Sequence, residues 1–235
     1  MVYSQFKDTV LSFLNRAGSA VVTTANTDLV LIAMNDARRW AQREYTFEQN
    51  ATQAFVYLSM LGKSLLTDFR TTPSSASGTV VVVVKRIDAL FEYATTTISS
   101  TTVYYPTLGI ELRRRMAIAA HVPSEPLATA LSSPTLGTFA YLQGQKLYHT
   151  NLTIPTWVFA DVIEFLPDHA GGTTEDIFLK YYTDWLRVAT LASLNVWLKD
   201  NERTPIDQAL LGGLWNSVKQ FDAQQAVSTD DLSLD

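Results

Sequence analysis

The chain contains no cysteine. This absence excludes disulfide frameworks, thiolate catalysis and cysteine-ligated metal sites. Charged residues are also scarce, at 17% of 235 positions, and the net charge is −5. An acidic balance argues against a protein that reads a nucleic-acid sequence, because such proteins carry a basic surface that neutralises phosphates. The negative net charge is compatible with a protein surface past which DNA slides.

Long hydrophobic runs are missing as well. No stretch approaches the roughly 20 apolar residues that span a bilayer. Near the N-terminus, Lys7, Asp8, Asn15 and Arg16 interrupt the apolar pattern. We therefore expect neither a membrane segment nor a signal peptide. Hydrophobic residues still make up 47% of the chain, which is enough for one large domain or two small ones with a real core.

Motifs for catalysis and for cofactor binding are lacking too. The histidines His121, His149 and His169 are far apart, and none has the companion four residues away that lets two imidazoles bind one metal ion from a helix. The sequence has neither a Gly-x-Ser-x-Gly elbow nor a complete phosphate-binding loop. We predict a protein that is not an enzyme and has no catalytic residue, cofactor or metal ion. A carboxylate pair assembled by folding stays open.

Helical patterns occupy both ends of the chain. Apolar residues recur at spacings of three and four over residues 3–17 and again over residues 27–45, where Asn26 or Thr27 is the expected cap. We expect Arg38 to lie outside the buried stripe of this second helix, which comprises Leu29, Ile32, Ala33, Ala37, Trp40 and Ala41.

Residues 176–226 contain the most informative pattern, two long apolar helices joined by a turn at residues 197–207. The first, with Thr173 or Thr174 as its cap, is apolar around nearly its whole circumference, so it must be surrounded. The second contains a Gly212-Gly213 pair, which would allow another backbone to approach closely. Segments able to cover these helices lie at the opposite end of the sequence, so we expect the two chain ends to pack together.

The middle of the chain is rich in Thr, Ser, Val and Tyr, a composition that favours strands and turns. Five strands are expected, at residues 54–60, 79–86, 139–142, 146–150 and 157–165. A hairpin turn is expected at Gly144, and the valine run at residues 80–84 should be buried on both faces or otherwise covered. Residues 109–120 are expected to form a short helix, and residues 71–78 and 95–102 are expected to be loops.

These patterns together predict an α+β fold. Its helical bundle is discontinuous, formed by residues 1–48 and 172–227. Residues 49–171 form a β-rich central insertion between them. Residues 228–235 form an extended acidic tail, solvated or ordered by a partner.

Seven residues are candidates for contacts with other chains. The run of Arg113, Arg114 and Arg115 fits the solvated side of a short helix, a contact with DNA phosphate, or an inter-subunit salt bridge. Trp185 and Trp197 fit either core packing or a subunit interface, where aromatic residues are enriched. The remaining two candidates, in the acidic tail, are Asp230 and Asp231.

Three segments resemble the tailed-bacteriophage head-to-tail adaptor proteins, also called neck or connector proteins. They are residues 29–40, which follow an N-terminal helix, the strand pair at residues 139–148, and the Trp-Leu-Lys-Asp-Asn-Glu-Arg string at residues 197–203. A last helix with an aromatic seam, here Trp215 and Phe221, is also similar to the family. The middle segment is longer than in compact adaptors, which implies an enlarged β region.

The resemblance implies a structural protein of the virion neck, assembled in the host cytoplasm. It implies a homo-oligomeric ring, usually of twelve copies, that binds the portal protein above and a tail or second neck protein below. Double-stranded DNA would pass through the ring without sequence-specific binding, and no membrane is involved. The alternatives are a tail terminator, a tail-tube adaptor, or a tail-associated glycan hydrolase with two close carboxylates.

Overall fold

The protein is a mixed α+β chain of helices and mainly antiparallel strands. A computed structural model describes residues 1–14, 23–24, 27–58, 62–74, 79–113, 140–149, 156–198 and 204–230. The chain divides into two compact units, one of Met1–Gln49 with Pro167–Asp235 and the other of Asn50–Leu166. We call the first the helical unit and the second the strand unit. Within the described ranges, no helix combines the length and the apolar character needed to cross a membrane.

The described part of the helical unit contains five α-helices and one antiparallel pair of two-residue strands. The elements are α1 (Tyr3–Phe13), β1 (Thr23–Thr24), β2 (Thr27–Asp28), α2 (Leu29–Glu44), α3 (Ile177–Tyr181), α4 (Thr183–Trp197) and α5 (Thr204–Asp230). Both α2 and α5 pack against α4, and α1 contacts α2 and α4. A 3-10 turn, Glu48–Asn50, follows α2.

Aspartates cap two of these helices. An Asp28 carboxylate oxygen accepts the main-chain N–H of Leu31 at 3.2 Å, and Asp176 accepts that of Leu179 at 3.0 Å. The predicted caps at Asn26 or Thr27, and at Thr173 or Thr174, were therefore wrong. A carboxylate at this position accepts a free N–H and also interacts favourably with the positive end of the helix dipole. The predicted single helix after Asp176 breaks at Tyr182 into α3 and α4.

The buried face of α2 differs from the predicted stripe. Ile32 and Trp40 are 41% and 46% exposed, whereas Arg38 is only 2% exposed. The guanidinium of Arg38 is compensated: it donates to Asn35 Oδ1 at 2.7 Å and to the Pro167 carbonyl at 3.2 Å, and it forms an ion pair with Asp176 at 2.5 Å. A buried arginine with an ion-pair partner and hydrogen-bond acceptors for both terminal nitrogens can occupy an interior position that an unpaired one cannot.

Asn35 extends this polar network to the segment before α3. Its side chain accepts the main-chain N–H of His169 at 2.8 Å and donates to the carbonyl of the same residue at 3.0 Å. The His169 ring is itself bonded to the Gly171 N–H and the Thr174 carbonyl. The segments on either side of the strand unit in sequence are thus joined by hydrogen bonds within the helical unit.

The end of the chain departs from prediction in two ways. A Cβ atom added at Gly212 or Gly213 would meet nothing within 4 Å. No backbone in the described chain therefore approaches the glycine pair. The final helix also continues through Asp230, so residues 228–230 are helical and not extended, while residues 231–235 lie outside the described ranges.

The described residues of the strand unit form a six-stranded and a four-stranded sheet. The strands are β3 (Ala51–Leu58), β4 (Lys63–Ser64), β5 (Phe69–Arg70), β6 (Val81–Val82), β7 (Val84–Ile98), β8 (Thr101–Ile110), β9 (Leu112–Arg113), β10 (Ala140–Gln143), β11 (Lys146–His149) and β12 (Thr156–Glu164). The six-stranded sheet has the order β6-β5-β3-β12-β7-β8 and is antiparallel throughout. The four-stranded sheet has the order β4-β11-β10-β9, with one parallel pair, β9 and β10.

The core of this unit comes from alternate residues of the central strands, as the period of a half-buried strand requires. The predicted hairpin at Gly144 is confirmed: β10 and β11 pair from Gln143 and Lys146 outward, and Gly144 has φ of +60°. Core residues from both sheets form one cluster, which includes Ala54, Val56, Leu58, Phe69, Ile87, Leu90, Leu147, Val158 and Val162.

Two predictions for the strand unit were wrong. The valine run is not buried on both faces: Val80 and Val81 are 63% and 44% exposed, while Val82 and Val84 are buried. Instead of starting a helix, residues 109–110 end β8 and residues 112–113 form β9; residues 114–120 lie outside the described ranges.

The predicted loop at residues 95–102 is also wrong, because these residues form the end of a long β-hairpin. β7 and β8 pair from Leu90 and Ile110 out to Ile98 and Thr101, with a two-residue turn at Ser99 and Ser100. Threonine, the dominant residue here, has a high strand propensity. The predicted loop at residues 71–78 is described only to residue 74, where bends are found.

Candidate interaction site on the helical unit

Three tryptophans from three helices meet in the helical unit. Trp40 of α2, Trp185 of α4 and Trp215 of α5 have ring centroids 5.0 to 6.1 Å apart. These separations are within the range of favourable aromatic contacts. Trp185 is 2% exposed, whereas Trp40 is 46% exposed. The cluster is therefore anchored in the core and reaches the surface.

A groove of about 460 Å³ lies over this cluster. We call it the tryptophan groove. Its lining is mostly apolar and includes a single acidic residue, Asp36, which forms an ion pair with Arg39 at 2.5 Å. The lining residues are Asp36, Ala37, Trp40, Trp185, Ala189, Ala192, Ser193, Val196, Gln208, Leu211, Gly212 and Trp215.

Trp185, which lines the groove, has an unpaired indole N–H. Its Nε1 is buried and has no hydrogen-bond partner in the described part of the chain. An unpaired buried N–H costs roughly 1–3 kcal/mol.

Exposed apolar side chains continue the apolar character of the groove onto the surface. Val196, which lines the groove, is 57% exposed, and Trp197 on the same helix is 43% exposed. On α5, Leu210 is 52% exposed. Exposed apolar surface is typical of sites where another molecule binds.

Buried polar contacts fix the position of α5, which forms one wall of the groove. The Tyr182 hydroxyl donates to Asp222 at 3.0 Å, and the main-chain N–H of Glu48 donates to the same carboxylate at 3.1 Å. Burial, together with the nearby Asp222 charge, raises the pKa of Tyr182 far above its ordinary value. Tyr182 therefore remains a neutral hydrogen-bond donor, and α5 is held at its centre by a directional contact.

The seven predicted contact residues lie in different places. Trp185 forms the floor of the tryptophan groove and is buried by the chain itself, whereas Trp197 is exposed beside the groove. Arg113 ends β9 in the strand unit, and Asp230 ends α5; the side chains of both are outside the described set. The other three, which lie outside the described ranges altogether, are Arg114, Arg115 and Asp231.

The sequence pattern does not reveal the groove. It places Trp40 in a buried stripe and Trp215 in a helix seam, and it predicts neither as a contact residue. The available signal was the spacing of Ile32, Asp36 and Trp40, which lie four residues apart and therefore on one face of α2. An aspartate in the middle of an apolar face indicates that the face is exposed.

Two acidic residues of the strand unit approach each other, as the glycan hydrolase alternative requires. Burial, and then the charge of Asp88, raise the pKa of Asp161. Asp88, however, is held by Arg86 through both carboxylate oxygens, at 2.5 and 3.1 Å. Arg86 thus neutralises the Asp88 carboxylate.

The described residues include no group of three or more metal-ligating side chains placed to hold a metal ion. Two of the three histidines are buried, His149 in the strand unit and His169 in the helical unit. His121 lies outside the described ranges. Compared with known proteins, the chain matches neither a protein-family model nor a curated relative.

Proposed function

We propose that the protein is a structural protein of a phage virion, a head-to-tail adaptor that forms a ring between the portal and the tail. The tryptophan groove is the observation that carries this proposal. A groove with an apolar lining and a solvent-exposed tryptophan at its edge is suited to binding another protein chain, because aromatic anchors in pockets dominate such interfaces.

The mixed α+β fold supports this proposal. In the proposal, helices from both chain ends form a bundle, and the β-rich segment is an insertion that reaches neighbouring subunits. A ring requires heterologous contacts, in which one surface of a copy binds a different surface of the next. The groove supplies one of these two surfaces.

The charge balance fits a channel wall. The net charge of −5 would repel DNA phosphates and let double-stranded DNA pass without sticking. The portal protein on one side and a tail or second neck protein on the other complete the proposed set of partners. No sequence-specific DNA contact and no membrane contact is part of the proposal.

Electron microscopy and native mass spectrometry of the purified chain, alone and mixed with the portal ring of the same phage, test the proposal. We expect closed rings with a central channel, twelve copies in each, that bind one face of the portal. A chain that stays monomeric at high concentration and ignores the portal would refute it. A closed ring of six copies would favour the tail-terminator alternative.

A further inference from the structure

The β7–β8 hairpin continues well beyond the sheet to which it belongs. β12 pairs with β7 only as far as Phe91, but β7 and β8 remain paired with each other out to Ile98 and Thr101. At about 3.3 Å per residue, the six residues from Tyr93 to Ile98 span roughly 17 Å. We call residues 93–108 the arm.

The two faces of the arm differ. Tyr93 and Tyr104 lie on one face and contact Phe55 with ring centroids 5.3 and 4.9 Å away, which anchors the arm at its base. The pairs Ile98–Thr101, Thr96–Val103 and Ala94–Tyr105 share the opposite face, because cross-strand partners point to the same side. On this second face the exposed apolar residues are Ile98 (58%), Val103 (37%) and Tyr105 (44%).

The arm has no charge and a strained tip. Residues 93–110 include no Asp, Glu, Lys or Arg. Ser99 and Ser100 form its turn with φ of 50° and 65°, a conformation that residues with a side chain rarely adopt. An isolated two-stranded hairpin is marginally stable in water. An uncharged apolar arm with a strained tip is therefore expected to gain stability by docking.

We propose that the tip of the arm of one copy docks in the tryptophan groove of the next copy in the ring. This inference rests on the proposed ring, since it supplies the second of its two surfaces. The match is one of charge and polarity: the arm is uncharged, and the only acidic residue of the groove is already paired with Arg39. A basic or acidic partner segment would find no counter-charge there.

The side chains of the arm also suit the groove. Thr96 and Thr101 lie on the second face beside Ile98 and Val103, and their hydroxyl groups add no charge to it. Ile98 and Val103 would fill the apolar volume above the tryptophans, and the open surface at Gly212 would let the arm's backbone approach α5 closely.

Because the chain has no cysteine, engineered single cysteines give an unambiguous test. Ile98→Cys places a thiol on the apolar face of the arm, and Ser193→Cys places one in the groove. The two single variants are mixed, allowed to assemble and treated with a short bismaleimide, so any cross-link between the two variants joins different copies. We expect this mixture to cross-link at least ten times faster than two control mixtures. One replaces Ile98→Cys with Thr97→Cys, on the other face of the arm, and one replaces Ser193→Cys with Ser217→Cys, outside the groove.

A second measurement uses charge. Ile98→Asp should raise the concentration needed for half-assembly by at least tenfold, while Thr97→Asp, the same charge on the opposite face, should change it less than threefold. Rings that form normally without the specific cross-link, and that tolerate Ile98→Asp, would overturn the docking of the arm and leave the adaptor proposal intact. A chain that forms no ring in any form would overturn both.

Discussion

Replacing Trp185 by alanine tests the packing of the helical unit most directly. The indole is 2% exposed and contacts Trp40, Trp215 and Phe178, with ring centroids 5.1 to 6.4 Å away. Its N–H has no partner in the described chain, so the change removes packing without removing a hydrogen bond. Truncating a buried Trp to Ala typically costs about 3–5 kcal/mol. For a chain of this length, roughly 2–4 °C of melting temperature corresponds to each kcal/mol, which predicts a decrease of about 6–20 °C.

Differential scanning calorimetry of the dilute, unassembled chain measures this decrease. Trp197→Ala is the matched control, because the same substitution is made in the same helix at a side chain that is 43% exposed. We expect the control to shift the melting temperature by less than a third as much. Equal shifts for the two variants, or no shift for Trp185→Ala, would refute the argument that Trp185 is packed in the core of the helical unit.

Three further predictions concern stability and assembly. Arg38→Met, which removes the buried cation from its network, should cost about 3–5 kcal/mol in urea unfolding, while Arg39→Met at the surface should cost at most about 1 kcal/mol. Burial lowers the pKa of His149 to about 4, against 6.5 for the free side chain. As the pH falls, His149 therefore binds a proton in the unfolded chain before it does so in the folded chain, and the free energy of unfolding decreases by about 2 kcal/mol between pH 7 and pH 5. His149→Gln should abolish this decrease, and an identical pH profile in the variant would contradict the prediction. Gly212→Ala and Gly213→Ala should each stabilise the isolated chain by about 0.5–1 kcal/mol, since both have open space for a methyl group, but only Gly212→Ala, in the groove, should weaken assembly in sedimentation experiments.

The sequence predicted the positions of the helices better than their faces. The spacing of apolar residues by three and four positions located both ends of α2 to within two residues. The same pattern could not show that Arg38 would be buried. That outcome depends on Asp176, which is far away in sequence and provides the compensating charge. Interior ion pairs are tertiary features, so local periodicity contains no information about them.

In the strand unit, low-complexity sequence was the main source of error. Residues 95–102 lack apolar alternation, so their pattern predicts a loop, although threonine favours extended backbone. Their pairing is set by continuation of the β7–β8 register outward from the sheet. Register is a property of two strands together, and a single strand's composition does not reveal how far it extends.

The sequence predicted that α4 needs to be covered, but it did not predict where on the helix apolar surface stays exposed. The expectation that α4 needs covering on every side follows from its composition, and α2 and α5 do cover most of it: Leu186, Leu191 and Leu194 are all less than 10% exposed. The remainder is Val196 and Trp197, at the C-terminal end of α4. Apolar surface that the chain itself leaves open is the part of the pattern that requires a second molecule. Because the open part adjoins a groove whose single acidic residue is already paired, the partner expected there is uncharged and has exposed apolar side chains, which are the properties of the proposed arm.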